Sequence, residues 1–331
     1  MYLAVLFLII VGAIVALAAF NPRSGTVATT SGSNQQSSSA LGLDWFKGAD
    51  LPTQRAEMTA ALLGNEVYVI GGFDENGVAL TKVEVYNTTS NGWRVARLLP
   101  VGLHHASAAT VNGKIYVIGG YLEGWIPTAG VWIYDPRTDS WSPGTSMPTP
   151  RGALTAQTIN GKIYAVGGTD RVRALSTNEV YDPVTDSWTN RAPIPTPREH
   201  LASAIVQDKL YAIGGRAGGL ATNTNVNEEY DPALDSWSAK SPMPTNRSGI
   251  TAGVLGDRIY VFGGETPTGT INTNEEYDPT SNTWTVKALM PTARHGIAAV
   301  SVGGKIYLLG GGTGVGVSVS SLNEIFMMKN Q

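Results

Sequence analysis

The chain has 331 residues, no cysteine, and 23 Lys and Arg against 26 Asp and Glu, a net charge of −3. The lack of cysteine excludes a disulfide framework, a thiol nucleophile and Cys-ligated zinc. The mildly acidic balance leaves no electrostatic footprint for nucleic acid.

Residues 2–20 carry no charge. As a helix they span about 30 Å, enough to cross a bilayer. A transmembrane anchor or signal segment is therefore expected over 1–22. Ala16-Leu17-Ala18 offers a signal-cleavage site. A retained anchor is favoured, because no Lys or Arg precedes the apolar run and the run exceeds the usual ~7–15 residues of a signal. The Ser/Gly/Asn/Gln-rich stretch 23–42 reads as a flexible linker with a reach of ~20–25 Å. The expected location is the cell membrane with the remainder extracytoplasmic, or secretion after cleavage. Arg23 alone weakly favours the opposite orientation.

From residue 43 the chain repeats. Gly71-Gly72, Gly119-Gly120, Gly167-Gly168, Gly214-Gly215, Gly263-Gly264 and Gly310-Gly311 recur at steps of 47–49 residues. Trp45, Trp93, Trp141, Trp188, Trp237 and Trp284 keep the same steps. A period of this length marks one supersecondary unit copied along the chain. Each copy begins with a small-residue strand a. A two-residue turn such as Asn160-Gly161 leads to an apolar strand b, the Gly pair and a variable segment. Strand c ends in Tyr or Phe, and strand d carries the Trp. Four-stranded units at this spacing are blades of a propeller. The Gly pairs are expected where neighbouring backbones approach too closely for a Cβ.

A Gly pair after strand b, followed downstream by Tyr and Trp as in Gly167-Gly168, Tyr181 and Trp188, resembles the kelch repeat. The resemblance covers 43–331 and implies an all-β, six-bladed kelch propeller with four antiparallel strands per blade. The sixth copy ends after Phe326 without a tryptophan, and Trp45 stands alone at the start. Residues 43–48 are thus expected to supply strand d of blade 6, closing the ring without an open edge.

In such a blade the a–b and c–d turns share one face, and the d–a connectors and b–c loops share the other. The b–c segments 73–81, 121–130, 169–177, 216–227, 265–274 and 312–323 differ from copy to copy, so recognition is expected there. His104, His105, His200 and His295 fall on this face at the start of strand a. Arg55, Arg151, Arg198, Arg247 and Arg294 share one position just before them, which Leu103 occupies in blade 2. Two readings of the arginines stand side by side: a basic rim for an acidic ligand, or a structural tie between neighbouring blades. The kelch resemblance implies the first, since some members bind acidic peptides through arginines at this position. Glu199, Glu57 and Glu265 are candidates for acid–base chemistry on a sugar, or solvated partners of the arginines. Tyr121 and Trp125 are expected as exposed contact aromatics on the second b–c loop. His104 and His105, as strand neighbours, should point to opposite sides, which argues against a histidine metal site.

The expected function is a non-catalytic, monomeric recognition module that binds a protein or glycan, acidic in the arginine-rim reading, and takes no metal or cofactor. Membrane contact is expected through residues 2–20 only. The alternative is an extracytoplasmic carbohydrate-active enzyme of epimerase or mutarotase type.

Overall fold

The computed structural model describes residues 44–328. The anchor expected at 1–22 and the linker at 23–42 lie outside them. Among the described residues no helix is long and apolar enough to cross a membrane.

Six four-stranded antiparallel sheets make up the fold. Strands a to d of blade 1 are Thr59–Leu63, Glu66–Ile70, Val83–Asn87 and Gly92–Val95. In blade 2 they are Ser107–Val111, Lys114–Ile118, Val131–Asp135 and Ser140–Gly144. In blade 4 they are Ala202–Val206, Lys209–Ile213, Asn227–Asp231 and Ser236–Lys240. Blades 3 and 5 follow the same order. Blade 6 is built from Ala298–Val302, Lys305–Leu309, Asn323–Met327 and, as strand d, Trp45–Lys47. Trp45 stands opposite Phe326, and Lys47 opposite Glu324. The two ends of the repeat region thus share one sheet, as the unpaired Trp45 foretold.

The a–b turns work because left-handed φ is adopted by both central residues in four blades and by the first, a glycine, in blades 1 and 5. Asn112 and Gly113 have φ of 49° and 75°, and even Gln207 and Asp208 take 51° and 59°. This matches the right-handed twist of the strands they join.

The Gly pairs sit where expected. A Cβ on Gly71 would lie 2.4 Å from the carbonyl oxygen of Leu103 in the next blade, and one on Gly167 would lie 2.6 Å from that of Arg198. The second glycine of each pair donates its N–H to that same carbonyl, as Gly168 does to Arg198 at 3.0 Å. Close approach and hydrogen bond therefore come from one geometry.

Outer strands are fastened by the aromatic series. Tyr181 packs against Trp188 with centroids 5.1 Å apart and planes tilted by 44°, and the Trp188 indole N–H donates to the Thr145 carbonyl of the preceding blade at 2.8 Å. Trp45 does the same to Ala288 at 3.2 Å. Each Tyr ring is worth roughly 2–3 kcal/mol when buried.

Candidate functional site

The five arginines are fully buried and form no rim. Each closes a clasp within its own blade. Arg198 donates to Glu228 at 2.5 Å and to the Ala212 carbonyl at 2.7 Å, while the Thr196 hydroxyl donates to the other Glu228 oxygen at 2.8 Å. Arg55, Arg151, Arg247 and Arg294 pair likewise with Glu84, Glu179, Glu275 and Glu324. Both sequence readings need correction. The side chains are closed to a ligand, and they bind strands of their own blade rather than a neighbour. Only their backbone reaches across, through the carbonyl that accepts from the Gly pair and, for Arg55, Arg151 and Arg247, through an N–H donated to the preceding blade's loop.

Two residues after each arginine position comes the innermost point of the blade: Glu57, His105, Ala153, His200, Gly249 and Gly296. All six have left-handed φ between 51° and 62°. Each donates its N–H to the carbonyl of its counterpart in the preceding blade, at 2.8–3.0 Å, and Glu57 closes the circle onto Gly296. A closed ring of six peptide hydrogen bonds therefore surrounds the axis on the b–c loop face. Below it the a strands enclose a channel cavity of about 170 Å³. Three ring positions carry polar side chains, and Glu57, His105 and His200 converge. Glu57 Oε2 is 3.5 Å from His105 Nε2, and the His105 and His200 rings are 4.9 Å apart.

The left-handed turn at His105 breaks strand alternation, so His104 and His105 do not diverge. Their Nδ1 atoms lie 2.6 Å apart, within hydrogen-bond distance. Burial lowers both histidines: His104 falls to about 4, and His105 goes well below the usual range, helped by the nearby His200. This pair is neutral at pH 7.

A second tier joins the residue after each arginine position to the residue after the Gly pair. Glu199 bridges Arg216, Ser248 bridges Glu265, and His104 bridges Tyr121. Arg216 donates to Glu199 at 2.9 Å and to Glu265 at 2.6 Å, and its Nη2 lies 3.3 Å from both nitrogens of His200. Burial raises the Glu199 carboxyl, but hydrogen bonding and charge from His200 and Arg216 outweigh this and leave it below the ordinary range. His295 faces Glu57 and Glu265 at 3.9 and 4.0 Å. The four histidines thus belong to one cluster with Glu57, Glu199 and Glu265.

Beside the axis, the loops of blades 2, 3 and 4 frame a cleft of about 260 Å³ lined by Tyr121, Trp125, Arg171, Arg173, Glu199 and Arg216, among others. Tyr121 is buried rather than exposed: it fills the space left by Gly152, where a Cβ would meet the ring at 2.5 Å. Trp125 is half-buried and packs edge-on against His104 with centroids 4.5 Å apart. Arg171 donates to the Trp125 carbonyl at 2.9 Å, tying the two loops. Arg216, Arg171 and Arg173 escaped the sequence reading because they stand on unrepeated segments. The one available signal for Arg216 was its place directly after a Gly pair.

A kelch-repeat family model, described as the KLHDC2/KLHL20/DRC7 Kelch-repeats domain, matches residues 45–215 and 193–331. Among solved structures the chain is similar to that of YjhT, with a TM-score of 0.75 and 18% identity over 86% of this chain and 97% of that one. No curated protein matches it.

Proposed function

Since this chain belongs to the kelch-repeat family, we propose that it is a recognition module whose b–c loop face holds a protein or glycan ligand in the cleft between blades 2, 3 and 4. The observation that carries this reading is the lining of that cleft: the half-buried Trp125 and the guanidinium groups of Arg171 and Arg173 share one space, with Tyr121 buried and Arg216 held by Glu199 and Glu265. An aromatic face receives an apolar segment or the flat side of a sugar ring. Guanidinium groups receive a carboxylate in paired hydrogen bonds. The ligand class is therefore a carboxylate-bearing sugar or acidic peptide. Display outside the cell belongs to the same proposal. Asp44, the first described residue, lies on the short-turn face, opposite the cleft.

Screening the purified protein on arrays of acidic glycans and peptides tests this reading. Arg173 is largely exposed, so Arg173→Ala should leave the fold intact and weaken a true ligand by about 1–3 kcal/mol. Trp125→Ala should weaken it further. Binding unaltered by both changes would overturn the assignment of the cleft.

A second reading rests on one observation: Glu199 lies against His200 and Arg216 at the floor of the same cleft. A carboxylate and an imidazole side by side can move a proton on a bound sugar, as an epimerase or mutarotase requires. That reading expects turnover to vanish in Glu199→Gln while binding persists.

A further inference from the structure

We propose that the axial mouth of the ring is a site for one divalent first-row transition-metal ion, held by Glu57, His105 and His200. This goes beyond the cleft reading, because it concerns the axis and stands or falls without the cleft ligand.

One carboxylate oxygen of Glu57 and one ring nitrogen from each histidine all lie within 4.8 Å of one another. Ligands at ~2.1 Å in a tetrahedron stand about 3.4 Å apart, close to the 3.5 Å between Glu57 Oε2 and His105 Nε2. The donors need only small side-chain rotations to close on an ion.

Their backbones are already fixed. All three project from the same position of the hydrogen-bonded ring, and the other three positions are Ala153, Gly249 and Gly296. A Cβ on Gly296 would lie 2.5 Å from Glu57 Oε1, so a larger residue there would displace the carboxylate.

Outer partners orient the rings in the way metal-bound histidines are usually held. His104 engages His105 through Nδ1, which turns Nε2 toward Glu57. Glu199 lies 3.4 Å from His200 Nδ1, and Arg216 Nη2, 3.3 Å from both ring nitrogens, has to give up Nε2 to the ion.

The donors also sit out of bulk water: the side chains of Glu57, His105 and His200 are at most 12% exposed, and a carboxylate so placed gains from a cation partner. His295, whose buried Nδ1 has no hydrogen-bond partner, stands beside Glu57 as a further donor. Two imidazoles and one carboxylate suit zinc, cobalt, nickel or iron(II) rather than calcium or magnesium.

Full-length protein, stripped with a chelator and titrated with Co²⁺, tests the proposal through visible d–d absorption and calorimetry. The expected result is one Co²⁺ per chain, displaced by Zn²⁺, with band intensities of four- or five-coordination. Glu57→Gln and His105→Gln should each weaken binding at least about tenfold while circular dichroism and melting stay at wild type. Should either variant fail to fold, imidazole NMR of the wild type decides. Zn²⁺ should then shift the ring signals of His105 and His200. Absence of saturable one-to-one binding, wild-type affinity in both variants, or His105 and His200 ring signals unmoved by Zn²⁺ would overturn it.

Discussion

Blade 2 and the other five blades solve the same packing problem with opposite chemistry. Five blades bury a Thr–Glu–Arg clasp, exemplified by Thr196, Glu228 and Arg198. In blade 2 the three equivalent positions are Val101, Trp132 and Leu103, which join one apolar cluster. The three positions change together. A lone arginine there would bury an unpaired charge, and a lone glutamate would do the same. The clasp is therefore one unit, kept or replaced whole. Its replacement in blade 2 coincides with that blade's other departures: the histidine pair, Tyr121, and the short 3-10 turn Glu123–Trp125 that builds the cleft wall.

The largest expected effect comes from opening a clasp. Arg198→Ala leaves Glu228 buried without its partner and should cost about 3–5 kcal/mol, measured by urea unfolding. A loss below about 1 kcal/mol would show that the clasp is not a unit and break the comparison. Leu103→Ala in blade 2 should cost roughly 2–4 kcal/mol through its cavity alone. Grafting blade 2 chemistry into blade 4, as Thr196→Val, Arg198→Leu and Glu228→Trp together, should recover most of what Arg198→Ala loses. If the triple change is worse than the single one, the apolar solution depends on features confined to blade 2.

Acid should single out blade 2. An unfolded histidine takes a proton near pH 6.5, whereas burial holds His104 at about 4 in the fold. Between these values the unfolded chain binds more protons, so stability is full above about 6.5 and declines as pH falls toward 4. Melting temperature against pH should show this slope, and His104→Gln should flatten it. An unchanged slope would assign acid sensitivity to other groups.

The smallest effect concerns the axial ring. Gly249→Ala should cost about 1–2 kcal/mol, because φ there is 62° and the new methyl would stand 3.2 Å from His295 Cβ. Ala153 already tolerates φ of 53° in blade 3. A larger loss at 249 would therefore report the crowding by His295 rather than the backbone.

The architecture was legible because every blade needs the same residues at the same strained or crowded points. The Gly pair meets a neighbour's carbonyl, and Trp must reach a neighbour's backbone. The arginines misled for the same reason: repetition at an exposed-looking connector resembles a binding rim. Their partners were repeated too, as Glu84, Glu179, Glu228, Glu275 and Glu324, but strand c lies about 30 residues downstream, and pairing across that gap requires the register. The ring position was harder still. Glu, His, Ala, His, Gly and Gly share no side-chain property, only a left-handed backbone, and sequence spacing alone does not announce that.

The ring of six peptide hydrogen bonds has a directional sense: every donor points the same way around the circle. Such a homodromic circuit cancels its own dipoles, so the axis carries no main-chain field of the kind found at a helix end. Its N–H groups are all spent on closure, so a molecule arriving on the axis finds no ring N–H free to donate to it. Six sockets at a fixed radius are offered, and here three of them hold polar pins, on blades 1, 2 and 4. Binding chemistry at the axis can thus be rewritten by substitution at single positions, while the hoop that holds the blades together stays the same.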